Sequence, residues 1–214
     1  MELVHDVIEP EAELSYEEYR RDVYKLLSDC YHLPDEQLLE NLNSLDINRG
    51  QILLNLAEHR PDTSDIDSLI VDYSRLFVGP YQILALPYGS MYMEDKSRIM
   101  GDSSIEVKKM YAEEGLDICL KEVPDHIALE LEFMYYLVFR ETEAIRMAES
   151  GLAAGYRNKQ KVFLETHLGR WVFEFTRNMA EHAQTGFYKN LADITSSFIR
   201  TELENLSINS KSIK

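Results

Sequence analysis

Residues 188–206 read YKNLADITSSFIRTELENL, and this stretch does most to decide the fold. Its inward-facing positions recur every three to four residues, as expected for one face of a helix. They are Leu191, Ile194, Thr195, Phe198 and Leu203. Two further long helices are predicted before it, at about 126–150 and 159–184. Gly151 and Gly155 are expected to separate the first two helices, and Gly186 the second and third.

The N-terminal half is also predicted to be helical. Ser15-Tyr16-Glu17-Glu18 is typical of a capping box, and an apolar stripe follows it as far as Cys30. A second capping box at Ser103 predicts a helix that ends near Glu114. Other helices are predicted at residues 37–45, 47–58 and 66–77. The chain has only 9 glycines and 6 prolines, too few for a turn-rich β-sandwich or barrel. We therefore predict an all-α fold, a single compact bundle of about seven to ten helices.

Composition limits the organisation and the classes of partner. The 214 residues, 45% of them hydrophobic, suit one domain with a sizeable core. We predict a loose lead-in over 1–14, the helical domain over 15–207 and a short tail over 208–214. A net charge of −16 argues against nucleic acid as the main partner, because phosphate binding needs an excess of lysine and arginine. Such a charge favours basic partners.

Three features predict a cytoplasmic protein. The N-terminus lacks a basic segment followed by an apolar run, so we expect no secretory signal. No stretch approaches 18 consecutive apolar residues, so we expect no membrane span. The two cysteines, Cys30 and Cys119, are too few for a disulfide framework or a four-cysteine zinc site. We interpret them as buried reduced thiols, with a single bridge as the alternative.

Residues 78–92, VGPYQILALPYGSMY, interrupt the helical pattern. Two prolines and two glycines exclude a continuous helix there. Apolar loops are unusual, because loops normally lie in water. We expect this segment, called the apolar loop below, either to pack on the core or to form the wall of a binding groove.

The densest cluster of ionisable residues is EVPDHIALELE at 122–132. Asp125 is predicted to be the N-cap of the following helix, with His126 in its first turn and Glu130 four residues later on the same face. The simplest interpretation is a capped helix with one His–Glu contact. A metal site would need a third ligand, and a general acid–base pair would need a nucleophile or a cofactor; the sequence indicates neither.

Other catalytic motifs are absent from the sequence. It contains no phosphate-binding glycine loop, no nucleophile elbow and no H-E-x-x-H zinc motif. A di-metal helical bundle needs Glu-x-x-His on two core helices, and only Glu2 and His5 have that spacing. Trp171, the sole tryptophan, follows His167 by four residues, so the two share a helical face. We interpret that face as core, with the lining of a groove as the alternative.

Four segments in order resemble the TorD/DmsD family of redox-enzyme maturation chaperones, in the NarJ-like superfamily. They are YSRLFVGPYQILALPYGSMY (73–92), EVPDHIALELEFMYYLV (122–138), FLETHLGRWVFEFTRNM (163–179) and TGFYKNLADITSSFI (185–199). The resemblance spans about residues 15–205. Its most specific part is the Pro-Asp-His junction with Glu130 after it, and the loop and the His-Leu-x-x-Trp helix add support.

The resemblance implies an all-helical, non-catalytic chaperone without a cofactor. Such a chaperone binds the apo catalytic subunit of a molybdopterin-containing oxidoreductase, often through its twin-arginine signal peptide, and holds it until the cofactor is inserted. It also implies a monomer or a domain-swapped dimer. The binding residues carried over by analogy are Gly79, Pro80, Pro87, Tyr88, Ser90, Tyr92, Pro124, Asp125, His126 and Glu130, with His167 and Trp171 as weaker candidates.

The physical properties of a twin-arginine peptide, which has a basic end and an apolar stretch, agree with that analogy. Such a peptide needs an apolar groove, which the loop could form. It also needs acidic groups at the rim, for which Glu122, Asp125 and Glu130 are the candidates. Two alternatives remain open: a helical adaptor for another client, and a GTP-binding or metal-dependent enzyme centred on His126 and Glu130.

Overall fold

The computed structural model describes residues 10–44, 52, 66–79, 83–94, 100–117 and 123–209, and within these ranges the side chains from 14 to 206. These ranges contain nine α-helices and no strand beyond one isolated bridge, which confirms the all-α prediction. The helices are α1 (Pro10–Cys30), α2 (Glu36–Asn43), α3 (Ile66–Tyr73), α4 (Ser90–Met93), α5 (Asp102–Glu113), α6 (Ile127–Arg146), α7 (Ser150–Thr166), α8 (Leu168–His182) and α9 (Gly186–Asn209). A π-helical turn, Ser74–Val78, continues α3.

Both predicted capping boxes are wrong. Helix α1 begins at Pro10, so Ser15 lies inside the helix and residues 10–14 of the predicted lead-in are helical. Proline suits a first helical position, because the amide it lacks would have no partner there. Helix α5 begins one residue before Ser103. Its first amides are capped from outside by Glu94, whose carboxylate accepts from the amides of Asp102 at 3.1 Å and Ser103 at 2.7 Å.

The boundaries of the long C-terminal helices also differ from the prediction. Helix α6 ends at Arg146, and Gly151 and Gly155 lie inside α7 instead of separating two helices. A Cβ atom at either glycine would meet no atom within 4 Å, so both occupy an open helical face. The predicted helix over 159–184 is broken at His167, which has φ −128° and ψ −95° and separates α7 from α8. The last helix begins at Gly186, close to its predicted start.

The core is built mainly from the packing of the five longest helices. Helix α1 packs mainly on α6, α6 packs on α7, and α9 packs on α8. Cys30 is a buried free thiol, as predicted, and burial raises its pKa. Cys119 and the helix predicted at 47–58 lie outside the described residues, apart from Ile52. The largest fully buried side chains are Trp171, Tyr24, Tyr31, Tyr188, Phe163 and Phe175.

Five ionic side chains form a network inside the bundle, called the Arg20 cluster. Arg20 binds Glu202 through Nε and Nη2, at 2.9 and 2.6 Å, and also contacts Glu17. Arg157 donates to Glu17 at 2.7 Å and to Glu141 at 2.6 Å. Arg20 and the three glutamates are at most 3% exposed. The cluster therefore joins α1, α6, α7 and α9 by paired charges.

The helices of the described ranges carry no membrane-spanning segment: none combines the length and the apolar character needed to cross a bilayer.

Candidate functional site

The apolar loop and the start of α6 meet directly. Tyr88 and His126 form an isolated antiparallel bridge. Two backbone hydrogen bonds flank it: the Gly89 amide donates to Asp125 O, and the Ile127 amide donates to Pro87 O, both at 2.9 Å. The two segments that the sequence singled out separately are therefore one structural unit. The loop is non-helical over 83–89, as expected. It ends in the single helical turn of α4, whereas the sequence analysis predicted no helix in this segment.

Asp125 does not cap its own helix, so that prediction is wrong. The backbone of Asp125 is engaged by the bridge, and its Oδ2 accepts from the Ser90 amide at 2.6 Å, at the N-terminus of α4. The N-cap of α6 is His126, whose Nδ1 accepts from the Ala128 amide at 3.2 Å. Asp125 is 1% exposed, and its Oδ1 has no hydrogen-bond partner. A buried carboxylate oxygen without a partner is costly.

Glu130 forms its hydrogen bond with Trp171 rather than with His126. Its Oε2 accepts from the indole Nε1 at 3.0 Å, and the carboxyl is 1% exposed. Burial raises the pKa of Glu130 well above its ordinary value, and the nearby Asp125 raises it further. The predicted His–Glu contact is replaced by a bond that ties α6 to α8.

Gly89 allows this bond to form. A Cβ atom at position 89 would lie 2.8 Å from Nε1 of Trp171 and 3.2 Å from its Cδ1. Any larger residue would therefore displace the indole from Glu130. Sequence reasoning did not single out Gly89 as a site residue, although it lies between two residues that it did select, Tyr88 and Ser90. Tyr111, whose hydroxyl donates to Pro124 O at 3.0 Å, was also missed, and no sequence signal indicates it.

The aromatic side chains of the site are partly accessible. Tyr88 and His126 are both half-buried, and their rings are perpendicular, with centroids 5.3 Å apart. Tyr92, also half-buried, stacks on Trp171 at 5.6 Å, and burial raises the pKa of Tyr92 to about 12. Burial and the nearby His32 lower the pKa of His126 to about 4. The His126 ring is therefore neutral at pH 7, as acceptance at Nδ1 requires.

The rest of the predicted site divides into buried and undescribed residues. Trp171 is fully buried, and His167 is 3% exposed at the break between α7 and α8, with no partner for its Nδ1. Pro87, Ser90 and Pro124 are buried as well. Gly79 ends the π-helical turn with φ 57°, a conformation that favours glycine. Pro80 and Glu122 lie outside the described residues.

Two of the three residues predicted to form an acidic rim, Asp125 and Glu130, are buried. Asp125 and Glu130 point inward and hold the loop and the indole, so neither offers a carboxylate to solvent. The accessible part of the site is apolar and aromatic, formed by the half-buried residues Ile83, Leu84, Leu86, Tyr88, Tyr92 and His126. We call this set the aromatic face.

Comparison with known proteins assigns the family. The family model described as nitrate reductase delta subunit matches residues 40–177, nearly two thirds of the chain. The chain belongs to this family. Its members include the TorD-like proteins, so the resemblance found in the sequence is confirmed.

Individual relatives agree with this assignment. The chain is 25% identical over 208 residues to the chaperone protein TorD of Vibrio parahaemolyticus, covering 88% of this chain and 94% of the relative. It is 27% identical over 216 residues to that of Vibrio atlanticus, covering 90% and 97%. The fold is shared by a crystal structure from Archaeoglobus fulgidus, described as a putative redox enzyme maturation protein, with a TM-score of 0.54. The two chains are 24% identical in sequence, and the match covers 87% of this chain and 93% of the other. This protein is accordingly a maturation chaperone and not an enzyme.

Proposed function

We propose that this chaperone acts in the cytoplasm on the catalytic subunit of a molybdopterin-dependent oxidoreductase. It binds the precursor through its twin-arginine signal peptide and holds it until the cofactor has been inserted. The family and the TorD relatives support the class of client. The predicted choice between a monomer and a domain-swapped dimer stays a prediction.

One observation carries the assignment of the binding site: the bridge between Tyr88 and His126. It joins the apolar loop to the start of α6 and leaves the aromatic face partly accessible. Half-exposed aromatic rings on a rigid support suit an apolar peptide segment, because they bury a large area and lose little conformational entropy on binding. A helical apolar stretch lying against such a face is the helix-in-groove mode of recognition.

The magnitudes favour apolar contacts as the main source of affinity. A micromolar complex needs about 8 kcal/mol of binding free energy. An exposed ion pair contributes about 0.2–1 kcal/mol, so a few of them cannot supply it. Burial of apolar surface contributes roughly 25 cal/mol per Å² before the cost of association is subtracted. We therefore expect Tyr88 to matter more for affinity than any single carboxylate.

The buried residues of the predicted site act as positioning residues in this proposal. Asp125 fixes the turn that begins α4, and Glu130 orients the indole on which Tyr92 stacks. Their substitution is expected to alter binding through the shape of the aromatic face. This reassigns the role of these carboxylates from contact to support.

Titration calorimetry tests the proposal with three ligands: the leader peptide of the client, its Lys-Lys version and the full precursor. We expect binding of the leader peptide, weakened about tenfold or more by Tyr88→Ala, as is usual for an aromatic residue at the centre of an interface. The matched control is Tyr135→Ala, another half-buried tyrosine, eight residues beyond Ile127 on α6. Its affinity should stay within twofold of the wild type. Absence of heat with all three ligands would exclude the proposal.

Co-purification identifies the client class. We expect a molybdopterin-containing catalytic subunit to be recovered with the wild type from its own cells, and to be reduced with Tyr88→Ala. Recovery of an unrelated client through the same face would instead support the alternative of a helical adaptor.

A further inference from the structure

Asp125 and Glu130 are buried, so neither carboxylate is available to the basic end of the proposed peptide. Arginine side chains bound near the surface need carboxylates to compensate for the water they lose. A concavity with accessible carboxylates next to the site would supply them.

Such a concavity lies between the end of α1 and α2. A cleft of about 410 Å³ opens there, with Asp29, His32 and Leu33 on one wall and Asp35 and Asn41 on the other. Leu33 is 58% exposed and places an apolar surface at the cleft. The volume is sufficient for one long side chain and part of a backbone.

The cleft is adjacent to the candidate site. The Ser28 hydroxyl donates to Ala128 O at 2.8 Å, so the last turns of α1 lie against the first turn of α6. His32 lies in the turn that follows α1, where its amide donates to Asp29 O at 3.2 Å, and it contributes to lowering the pKa of His126. A peptide that leaves the aromatic face beside His126 therefore reaches the cleft at His32.

The charge of the cleft region is negative. Two carboxylates, those of Asp29 and Asp35, and a single lysine line the cleft. That lysine, Lys25, already pairs with Asp29 at 2.6 Å. Asp35 is exposed and uses Oδ1 to cap α2 by accepting from the Leu38 amide at 2.8 Å. A carboxylate accepts several hydrogen bonds, so both aspartates retain capacity for a cationic ligand.

We propose that this cleft is the subsite for the basic segment of the client peptide. An arginine side chain lies with its methylene groups on Leu33 and its guanidinium against the Asp29 and Asp35 carboxylates. The aromatic face then holds the apolar segment, and the two parts of one peptide occupy two separate surfaces. This inference rests on the proposed function and specifies how the charge of the peptide is recognised.

Two pairs of variants test the subsite. Asn41→Trp fills the cleft, and Asn43→Trp places the same side chain two residues further along α2, outside it. Asp35→Asn removes a charge but preserves the cap, since asparagine caps helices as well as aspartate does. Its control, Glu36→Gln, removes a neighbouring charge on α2 that does not line the cleft. Each variant is titrated with the twin-arginine peptide and with the same peptide carrying two glutamines instead.

We expect Asn41→Trp and Asp35→Asn to weaken binding of the arginine peptide about three- to fivefold and to leave binding of the glutamine peptide unchanged. Both controls should stay within twofold of the wild type for either peptide. Equal affinities for the two peptides in the wild type, or cleft variants that match their controls, would overturn the subsite and leave the proposed function intact. Failure of the wild type to bind either peptide or the full precursor would reject the proposed function as well.

Discussion

The Arg20 cluster and the start of α6 both bury carboxylates, but only the Arg20 cluster supplies cations for them. In the cluster, two arginines contact three glutamates on α1, α6 and α9. At the start of α6, Asp125 and Glu130 accept from an amide and an indole, and neither pairs with lysine or arginine among the described residues. Among the described residues, one oxygen of Asp125 has no hydrogen-bond partner.

This difference indicates which region is structural and which is functional. A paired network offsets part of the cost of burying charge, and it joins the helices that carry its members. Buried polar atoms without partners reduce stability, and folded proteins usually retain them where a function requires the arrangement. The comparison therefore favours the start of α6, with the loop bridged to it, as the binding site. The predictions below test it from the largest expected effect to the smallest.

The largest effect is expected from breaking the Arg20 cluster. Arg20→Met leaves Glu202 and Glu17 buried without their main partner, and removal of one member of a buried ion pair costs about 3–5 kcal/mol. Urea denaturation measures the free energy of unfolding. The control is Arg21→Met, because Arg21 is partly exposed and its salt bridge among the described residues is to its neighbour Asp22, at 2.6 Å. The cluster has no structural role if both variants lose the same stability.

Gly89→Ala should disturb the site by direct overlap with Trp171. Its Cβ would lie 2.8 Å from the indole nitrogen, so we expect a loss of about 1–3 kcal/mol, typical of overpacking. The emission of Trp171, the sole tryptophan, should shift as its bond to Glu130 is lost. Gly155→Ala is the control, because that helical position is open, and it should stabilise the protein by about 0.4–1 kcal/mol. A normal emission spectrum and normal stability for Gly89→Ala would contradict the packing described for the site.

Glu130 should make the protein less stable as the pH rises. The pKa of Glu130 is higher in the folded chain than its ordinary value of 4.5. Above pH 4.5 the folded state therefore binds more protons than the unfolded state, and the free energy of unfolding falls as the pH increases. Glu130→Gln keeps an acceptor for Trp171 and should remove this decline. Chemical denaturation between pH 5 and 8 measures the slope. The exposed Glu132→Gln should retain the wild-type slope, and an unchanged slope in Glu130→Gln would show that its carboxyl is not perturbed.

His126 should produce a smaller change of stability with pH, and of opposite sign. Its pKa falls from 6.5 to about 4 on folding, so the unfolded chain binds more protons between these values and stability is lost as the pH drops through them. His126→Asn should remove this loss, since asparagine is also a good N-cap. The control is His182→Asn, at an exposed position at the end of α8. Equal acid sensitivity in both variants would contradict a neutral His126 in the folded state.

The sequence predicted the helical class and singled out the two segments that meet at the candidate site, but it did not predict the contacts that connect them. Helical periodicity found the apolar stripes because burial enforces it locally. It missed the break at His167, although Gly169, two residues later, is of the type that often follows a helix end. The N-cap of α6 was predicted at Asp125, one residue early. The Asp125 carboxylate instead accepts a hydrogen bond from the Ser90 amide, 35 residues away in the chain, which no local pattern indicates. Such long-range contacts, including the one between Glu130 and Trp171, follow from tertiary packing and have no local signal.

The aromatic face as the binding surface is tested most directly by site-specific photocrosslinking to the full precursor. A photoreactive residue in place of Tyr88 should form an adduct with the leader segment of the precursor. The same residue in place of Met147, 65% exposed and just beyond the far end of α6, roughly 30 Å from its start, should form none. Crosslinking to the leader from position 147 and not from position 88 would contradict the account.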